Sequence, residues 1–322
     1  MKLIFLLFCG VNSFILKPIT KPNLKIYNKK PIINDDKISD FLSLIRYKNI
    51  LPTILLNLSG GWIMNPSIDI ISSKPFLVSV INTLLIMSSS MILNDMWDLD
   101  VDKINNPHRP LVTGKITMNK AKYLTITLLG LTEFLTINYL DSNLNLIIQL
   151  AIINIIIYTP ILKKITFIKN ISCASLISFA PIFSGLSTNI GVNGNYGLLF
   201  TLSGIIFLGS LYNEILLDIR DYDGDSKNNI NTIPVVFGNN KAYKIVTFIL
   251  YFNILFSFSS LSYLYGIEYG LVLPIIWIPM INDMKCVIDS NYSPTIINKV
   301  SSNTNIYLFN TIIYLCLINY II

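Results

Sequence analysis

Long apolar runs alternate with short polar connections along the whole chain. Apolar residues dominate segments 48–66, 75–94, 119–140, 144–160, 170–188, 196–214, 242–264, 269–282 and 303–321. Each is near the ~20 residues that a helix needs to cross a hydrocarbon core. The 269–282 segment is the shortest and carries Pro274 and Pro279, which membrane helices tolerate where neighbours re-satisfy the freed carbonyls. The pattern predicts an all-α fold: a polytopic membrane bundle of about nine transmembrane helices over residues 46–322.

The connections carry a second pattern. With nine spans, loops 67–74, 141–143, 189–195 and 265–268 lie on one side, and Lys74 is the one basic residue among them. Apart from Lys2, every other Lys and Arg falls on the opposite side. A wrong span count would scramble this asymmetry, which is the expected bias toward positive charge on the cytoplasmic side, or the stromal side in a plastid.

Composition narrows the class further. The chain of 322 residues is 52% hydrophobic and 13% charged, with mean hydropathy +0.60. Soluble domains carry roughly 25% charged residues, so a disordered chain or an ordinary soluble globule is excluded. The net charge is +6. Because its lysines flank apolar segments, anionic lipid headgroups and a negatively charged substrate fit it better than nucleic acid. Cys9, Cys173, Cys286 and Cys316 are scattered and form neither a zinc pattern nor a disulfide framework. Met1–Val11 is a short apolar run, and residues 12–30 are lysine-rich and free of acids. Residues 1–30 therefore read as a targeting leader, secretory or the two-part plastid type, and 31–45 as a linker.

Two acidic clusters share one spacing. Asp95, Asp98, Asp100 and Asp102 end the second span, and Asp218, Asp221, Asp223 and Asp225 end the sixth. Both read D-x-x-D-x-D-x-D. Both continue through a Lys and an Asn pair (Lys103, Asn105, Asn106; Lys227, Asn228, Asn229) to a Pro and a Gly (Pro110, Gly114; Pro234, Gly238). The recurrence predicts two pseudo-repeated halves. At ~100° per residue, 95, 98 and 102 share a helix face, as do 218, 221 and 225, while Asp100 and Asp223 point away. Three like charges on one face beside hydrocarbon demand cationic compensation. A solvated acidic loop would need no repeated spacing. An EF-hand would set its Gly one place later than Gly224 and close with a Glu. Lysine salt bridges are one answer. Two facing carboxylate clusters that hold Mg²⁺ against substrate phosphates are the other. Between the clusters, on the same side, come Tyr158, Lys163, Lys164 and Lys169, as phosphate binders or as membrane-side anchors. Arg109, Arg220 and Lys227 flank the acids and could balance them or touch a diphosphate. The single histidine, His108, is assigned no role.

These residues resemble the UbiA-type intramembrane prenyltransferase family. Asn94–Asp102 matches its N-D-x-x-D-x-x-x-D motif, and Asn106–Gly114 looks like the N-x-x-R-P-x-x-x-G stretch that follows. Asp218–Asp225 matches the second motif, with Asp221 and Asp225 as its D-x-x-x-D core, and Thr232–Gly238 is similar to its T-x-P-x-x-x-G tail. Tyr158 and the lysines after it resemble a Y-x-x-x-K element. Four residues separate Tyr158 from Lys163 here, so Lys163 and Lys164 both stay candidates. The resemblance implies nine helices around a central cavity capped on the charged side, and Mg²⁺-dependent transfer of a prenyl group from an allylic diphosphate to an acceptor. By that likeness Asp98, Asp102, Asp221 and Asp225 hold the metal with help from Asn94, Asp95 and Asp218. Arg109, Tyr158, Lys163, Lys164 and Lys227 face the diphosphate. Family frequency alone favours a lipid-soluble aromatic acceptor of the quinone-precursor type. Chlorophyllide and glyceryl phosphate acceptors are the alternatives within the family. A divalent-cation transporter is the rival from another class, but it would line the membrane midplane with acids, and here they gather at helix ends on one side.

Overall fold

The computed structural model describes residues 35–188, 194–228 and 230–321. The leader at 1–30, with its secretory and plastid readings, lies outside the described residues. Among the described residues the structure is all-helical. In chain order the helices are α1 (Asp35–Leu44), α2 (Ile50–Met64), α3 (Lys74–Trp97), α4 (Leu99–Asn105), α5 (Met118–Tyr139), α6 (Ser142–Tyr158) and α7 (Ile168–Leu186). They continue with α8 (Tyr196–Arg220), α9 (Tyr222–Lys227), α10 (Ile233–Phe237), α11 (Asn239–Tyr265), α12 (Ile267–Gly270), α13 (Val272–Asp289) and α14 (Pro294–Ile321).

Each of the nine apolar segments falls on a long helix. Lys74–Trp97, Tyr196–Arg220, Asn239–Tyr265, Ile267–Asp289 and Pro294–Ile321 are long and apolar enough to cross a membrane, and Ser142–Tyr158 is a shorter apolar helix. Their outward faces carry Ile137, Phe248, Tyr263 and Ile275, all largely exposed. Helices that are apolar on every side belong in lipid, and the chain is a multi-pass integral membrane protein. The expected linker is in part a helix. Leu44 at the end of α1 is fully buried in a cluster with Ile92, Leu111 and Ala121, which ties α1 to the end of α3 where the first acidic motif begins.

The packing repeats as the motifs do. In the first half α2 packs on α3, α3 on α5, and α5 on α6; in the second α7 packs on α8, α8 on α11, and α11 on α13. The α8 helix is the hub, touching α7, α11, α14 and α2. Lipid offers no hydrophobic drive between helices, so close approach and internal polar bonds hold them. At the α2–α7 crossing a Cβ on Gly60 would lie 2.0 Å from the Pro181 carbonyl oxygen, so only glycine lets the backbones meet. Beside it, the Ser184 hydroxyl donates to the Asn57 carbonyl at 2.8 Å. Asn82 of α3 donates to the Thr136 hydroxyl of α5 at 2.9 Å.

Candidate active site

Both acidic motifs are built on one backbone device. The long helices α3 and α8 stop at Trp97 and Arg220. Asp98 (φ −91°, ψ 14°) and Asp221 (φ −91°, ψ 9°) follow, and the short helices α4 and α9 start at the next residue. A ψ near zero instead of the helical −42° turns the chain without opening the ladder. The Asp102 N–H still donates to the Asp98 carbonyl at 2.8 Å, and the Asp225 N–H to the Asp221 carbonyl at 3.0 Å. The middle acid of each trio therefore sits at a bend, where a straight helix was expected. Asp102 and Asp225 fall in the first turns of α4 and α9, the helix end that favours negative charge. Asp95, Asp98, Asp102, Asp218 and Asp225 are buried, Asp221 is half-buried, and Asp100 and Asp223 are exposed.

Cations of the chain compensate most of these buried acids. The Asp95 Oδ1 accepts from Arg46 at 3.0 Å and from Arg109 at 2.7 Å. Arg109 also pairs with Asp102, whose other oxygen takes the Asn106 amide at 3.1 Å. Lys163 pairs with Asp98. Lys169 reaches Asp218 Oδ1 at 2.5 Å and Asn170 reaches Oδ2 at 2.9 Å, all three side chains being buried. Arg220 grips its neighbour Asp221 with two bonds, at 2.8 and 2.6 Å. Asp225 is the exception: among the described residues its carboxylate takes no ion pair and no side-chain hydrogen bond. Burial pushes its pKa up to about 7, against the pull of Lys169 and with the push of Asp218 and Asp221. Burial also raises Asp102, with Arg109 opposing.

The remaining expected residues fall into two groups. Lys163 turns inward to the first motif while Lys164 is exposed, which distinguishes the two lysines. Tyr158 is half-buried at the end of α6, within electrostatic reach of both Asp98 and Asp218. Asn94 is half-buried, and its carbonyl accepts from the Asp98 N–H at 2.9 Å. Lys227 is exposed on α9. It lines a polar cleft of about 540 Å³ with Asn105, Asn106, His108, Arg220, Asp221 and Asn298. The cleft joins the two motifs, and α4 meets α9 at its floor. A Cβ on Gly224 would come within 1.9 Å of the Asn105 side chain.

The sequence did not single out four residues. Arg46 holds Asp95 from a left-handed backbone (φ 51°), a strained setting for a long side chain. Lys169 stood only as one lysine among several, and Asn170 and Glu214 carried no signal. Their roles come from the α7–α8 packing, which no spacing within one segment encodes.

Among the described residues no three His, Cys, Asp or Glu side chains stand close enough to hold one metal ion together. An all-protein cage for a metal is therefore not what these acids build. Their chemistry still fits Mg²⁺, which binds through one or two carboxylates and completes its shell with water and substrate phosphates. The unpartnered buried carboxylate of Asp225 is the donor most in need of a cation.

An all-helical membrane bundle with paired, bent aspartate motifs held by lysines and arginines defines the class of intramembrane transferases that handle anionic, lipid-tailed substrates. The chain matches the model of the UbiA prenyltransferase family over residues 54–294 and belongs to that family. It is an enzyme, a prenyltransferase. Digeranylgeranylglyceryl phosphate synthase of Saccharolobus solfataricus is 29% identical over 243 residues, 75% of this chain and 84% of the relative. The synthase of the same name from Methanococcus maripaludis is 30% identical over 232 residues, 71% of this chain and 78% of the relative. A structure solved in work on digeranylgeranylglyceryl phosphate synthase superposes with TM-score 0.65 at 24% identity, covering 88% of this chain and 98% of that one. A UbiA homologue from Archaeoglobus fulgidus bound to DMAPP and Mg²⁺ gives TM-score 0.61 at 21% identity, with 85% and 99% covered. At these identities the two structures speak for the fold.

Proposed function

We propose that this prenyltransferase moves a geranylgeranyl group from its diphosphate to a hydroxyl of a glyceryl phosphate that already carries one such group. The carrying observation is the name shared by the aligned relatives, whose product holds two geranylgeranyl groups on one glyceryl phosphate. That supports a hydroxyl of a phosphate-bearing lipid over the aromatic acceptor expected from family frequency. The cleft beside Asp221 is compatible with it, since Arg220, Lys227, His108 and Asn298 offer donors to a second phosphate.

In this reading Asp98, Asp102, Asp221 and Asp225, with Asn94 beside them, would hold Mg²⁺. When bound, the metal neutralises charge on the departing diphosphate, the role that dominates such chemistry. Asp95 and Asp218 would assist: Asp95 Oδ1 holds Arg46 and Arg109, and Asp218 holds Lys169 and Asn170, so they also position cations beside the metal site. Lys163, which pairs with Asp98 in this structure, would bind a diphosphate oxygen, and Arg109 steadies the loop after α4. Tyr158 lies between the motifs and directs the leaving group. The donor chain runs down among the apolar helices, which keep water from the allylic carbon.

The test is the purified protein in lipid nanodiscs, given Mg²⁺ and labelled geranylgeranyl diphosphate. It is offered geranylgeranylglyceryl phosphate or an aromatic quinone precursor. Ether product from the first and none from the second is the expected result. Product from the aromatic acceptor alone would restore the aromatic reading.

A further inference from the structure

The α8 helix carries a further acid outside the second motif. Glu214 lies four residues before Asp218, so it stands on the same face about 6 Å deeper in the membrane. The neighbouring α7 helix mirrors this offset, with Cys173 one turn beyond Lys169 and Asn170. The two helices form successive rungs: Lys169 and Asn170 against Asp218, then the Cys173 thiol against Glu214.

The lower rung differs from the upper one in charge. Asp95, Asp98, Asp102, Asp218 and Asp221 each hold a Lys or Arg in an ion pair; among the described residues Glu214 forms none. Asp218 and Arg220 on its own helix, Lys169 and Cys173 on α7, Tyr158 on α6 and Arg46 before α2 are charged or titratable groups around it. Its neighbour across the rung is the Cys173 side chain of α7. Beside it, the side-chain oxygen of Asn213 is buried without a partner. An intramembrane carboxylate with no paired cation is costly, and where such groups occur they handle protons or charged substrates.

Its depth matches the reacting carbon. A donor whose diphosphate rests at the bent motifs, with its chain running into the bundle, has its first carbon just on the membrane side of the diphosphate. That is the level of the lower rung. We propose that Glu214 is a catalytic residue that takes the proton lost by the acceptor hydroxyl, an inference that rests on the hydroxyl-acceptor reading above. In the step, the bond between the allylic carbon and the diphosphate oxygen breaks, and its electron pair leaves with the diphosphate. The hydroxyl oxygen forms the new carbon–oxygen bond, and its proton passes to a Glu214 carboxylate oxygen. Asp95, Asp98, Asp102, Asp218 and Asp221 are engaged with Lys or Arg, and Asp225, which has no such partner, is the carboxylate assigned above to the metal.

The test uses the full chain in nanodiscs with geranylgeranyl diphosphate, Mg²⁺ and geranylgeranylglyceryl phosphate, comparing wild type, Glu214→Gln and Glu214→Asp. Ether product, total pyrophosphate and donor binding are measured together. Wild type yields the two products one for one. Glu214→Gln is expected to bind donor normally but to form ether about 100-fold or more slowly. Its pyrophosphate should exceed its ether, because water captures donor that ionises without a proton acceptor for the transfer. Glu214→Asp recovers part of the ether rate. Ether formation by Glu214→Gln at the wild-type rate overturns the proposal, and so does equal loss of donor binding and ether in both variants, the mark of a structural role. If Glu214→Gln fails to fold, Glu214→Asp decides: a shifted ratio of pyrophosphate to ether supports the proposal, and wild-type partition overturns it. If wild type makes no ether but prenylates an aromatic acceptor, the function reading falls first and takes this inference with it.

Discussion

Replacing Lys169 with Met should leave the buried Asp218 carboxylate without its cation. Lys169 Nζ stands 2.5 Å from Asp218 Oδ1, with side chains only 9% and 8% exposed. At an effective dielectric of about 20, charges at that distance attract by about 7 kcal/mol. Removing both from water costs several kcal/mol per ion, so the intact pair is close to neutral for stability. Removing one partner is different, because the carboxylate keeps its desolvation cost and loses its cation. The expected loss for Lys169→Met is about 3–5 kcal/mol. Adding Asp218→Asn removes the stranded charge and keeps an acceptor for the Asn170 amide. The double variant should therefore recover to within about 1–2 kcal/mol of wild type, a coupling typical of contacting residues in one network. The assay is equilibrium unfolding in mixed micelles across an SDS titration, with helical content as the readout. The reasoning is wrong if Lys169→Met unfolds at the wild-type midpoint, or if the double variant is less stable than Lys169→Met.

Further predictions test neighbouring features. Lys163→Met should cut prenyl transfer about 100-fold or more, as loss of one donor to developing negative charge does, whereas Lys164→Met, on an exposed side chain, should transfer at nearly the wild-type rate; equal effects in a steady-state assay would remove the distinction between them. Gly60→Ala should destabilise the bundle by about 1–3 kcal/mol despite alanine's helix preference, because its Cβ meets the Pro181 backbone, and the same SDS titration measures it. Gly224→Ala should lower transfer more than stability, since its Cβ presses on Asn105 where α4 meets α9; an unchanged transfer rate would show that this contact does not couple the motifs.

How much the sequence disclosed depended on whether a signal was local. The apolar runs located every long helix, because in a membrane the periodic lipid-facing and packing faces are both apolar. The 95/98/102 and 218/221/225 recurrence located the two motifs, and the exposure of Asp100 and Asp223 follows from the same geometry. The bends at Asp98 and Asp221 were not legible, since Asp at an internal helix position carries no mark of a ψ near zero. Arg46 lay in a segment read as a linker, and only the docking of Leu44 brings it to Asp95. The rungs of α7 against α8 depend on tertiary register, so Lys169, Asn170 and Glu214 could not be ranked from spacing. Acceptor identity was hidden for another reason: the motifs carry the likeness to the family as a whole, and nothing in their spacing separates one acceptor from another.

The two aspartate motifs are expected to act together on a magnesium-bound diphosphate. The most direct measurement is prenyl transfer and pyrophosphate release by the purified protein, with Mg²⁺ or with EDTA, for wild type, Asp98→Ala and Asp221→Ala. Wild type should release pyrophosphate with product only when Mg²⁺ is present, and either substitution should reduce both to background in a protein that remains folded. Transfer that persists in EDTA, or full activity in either variant, would contradict it.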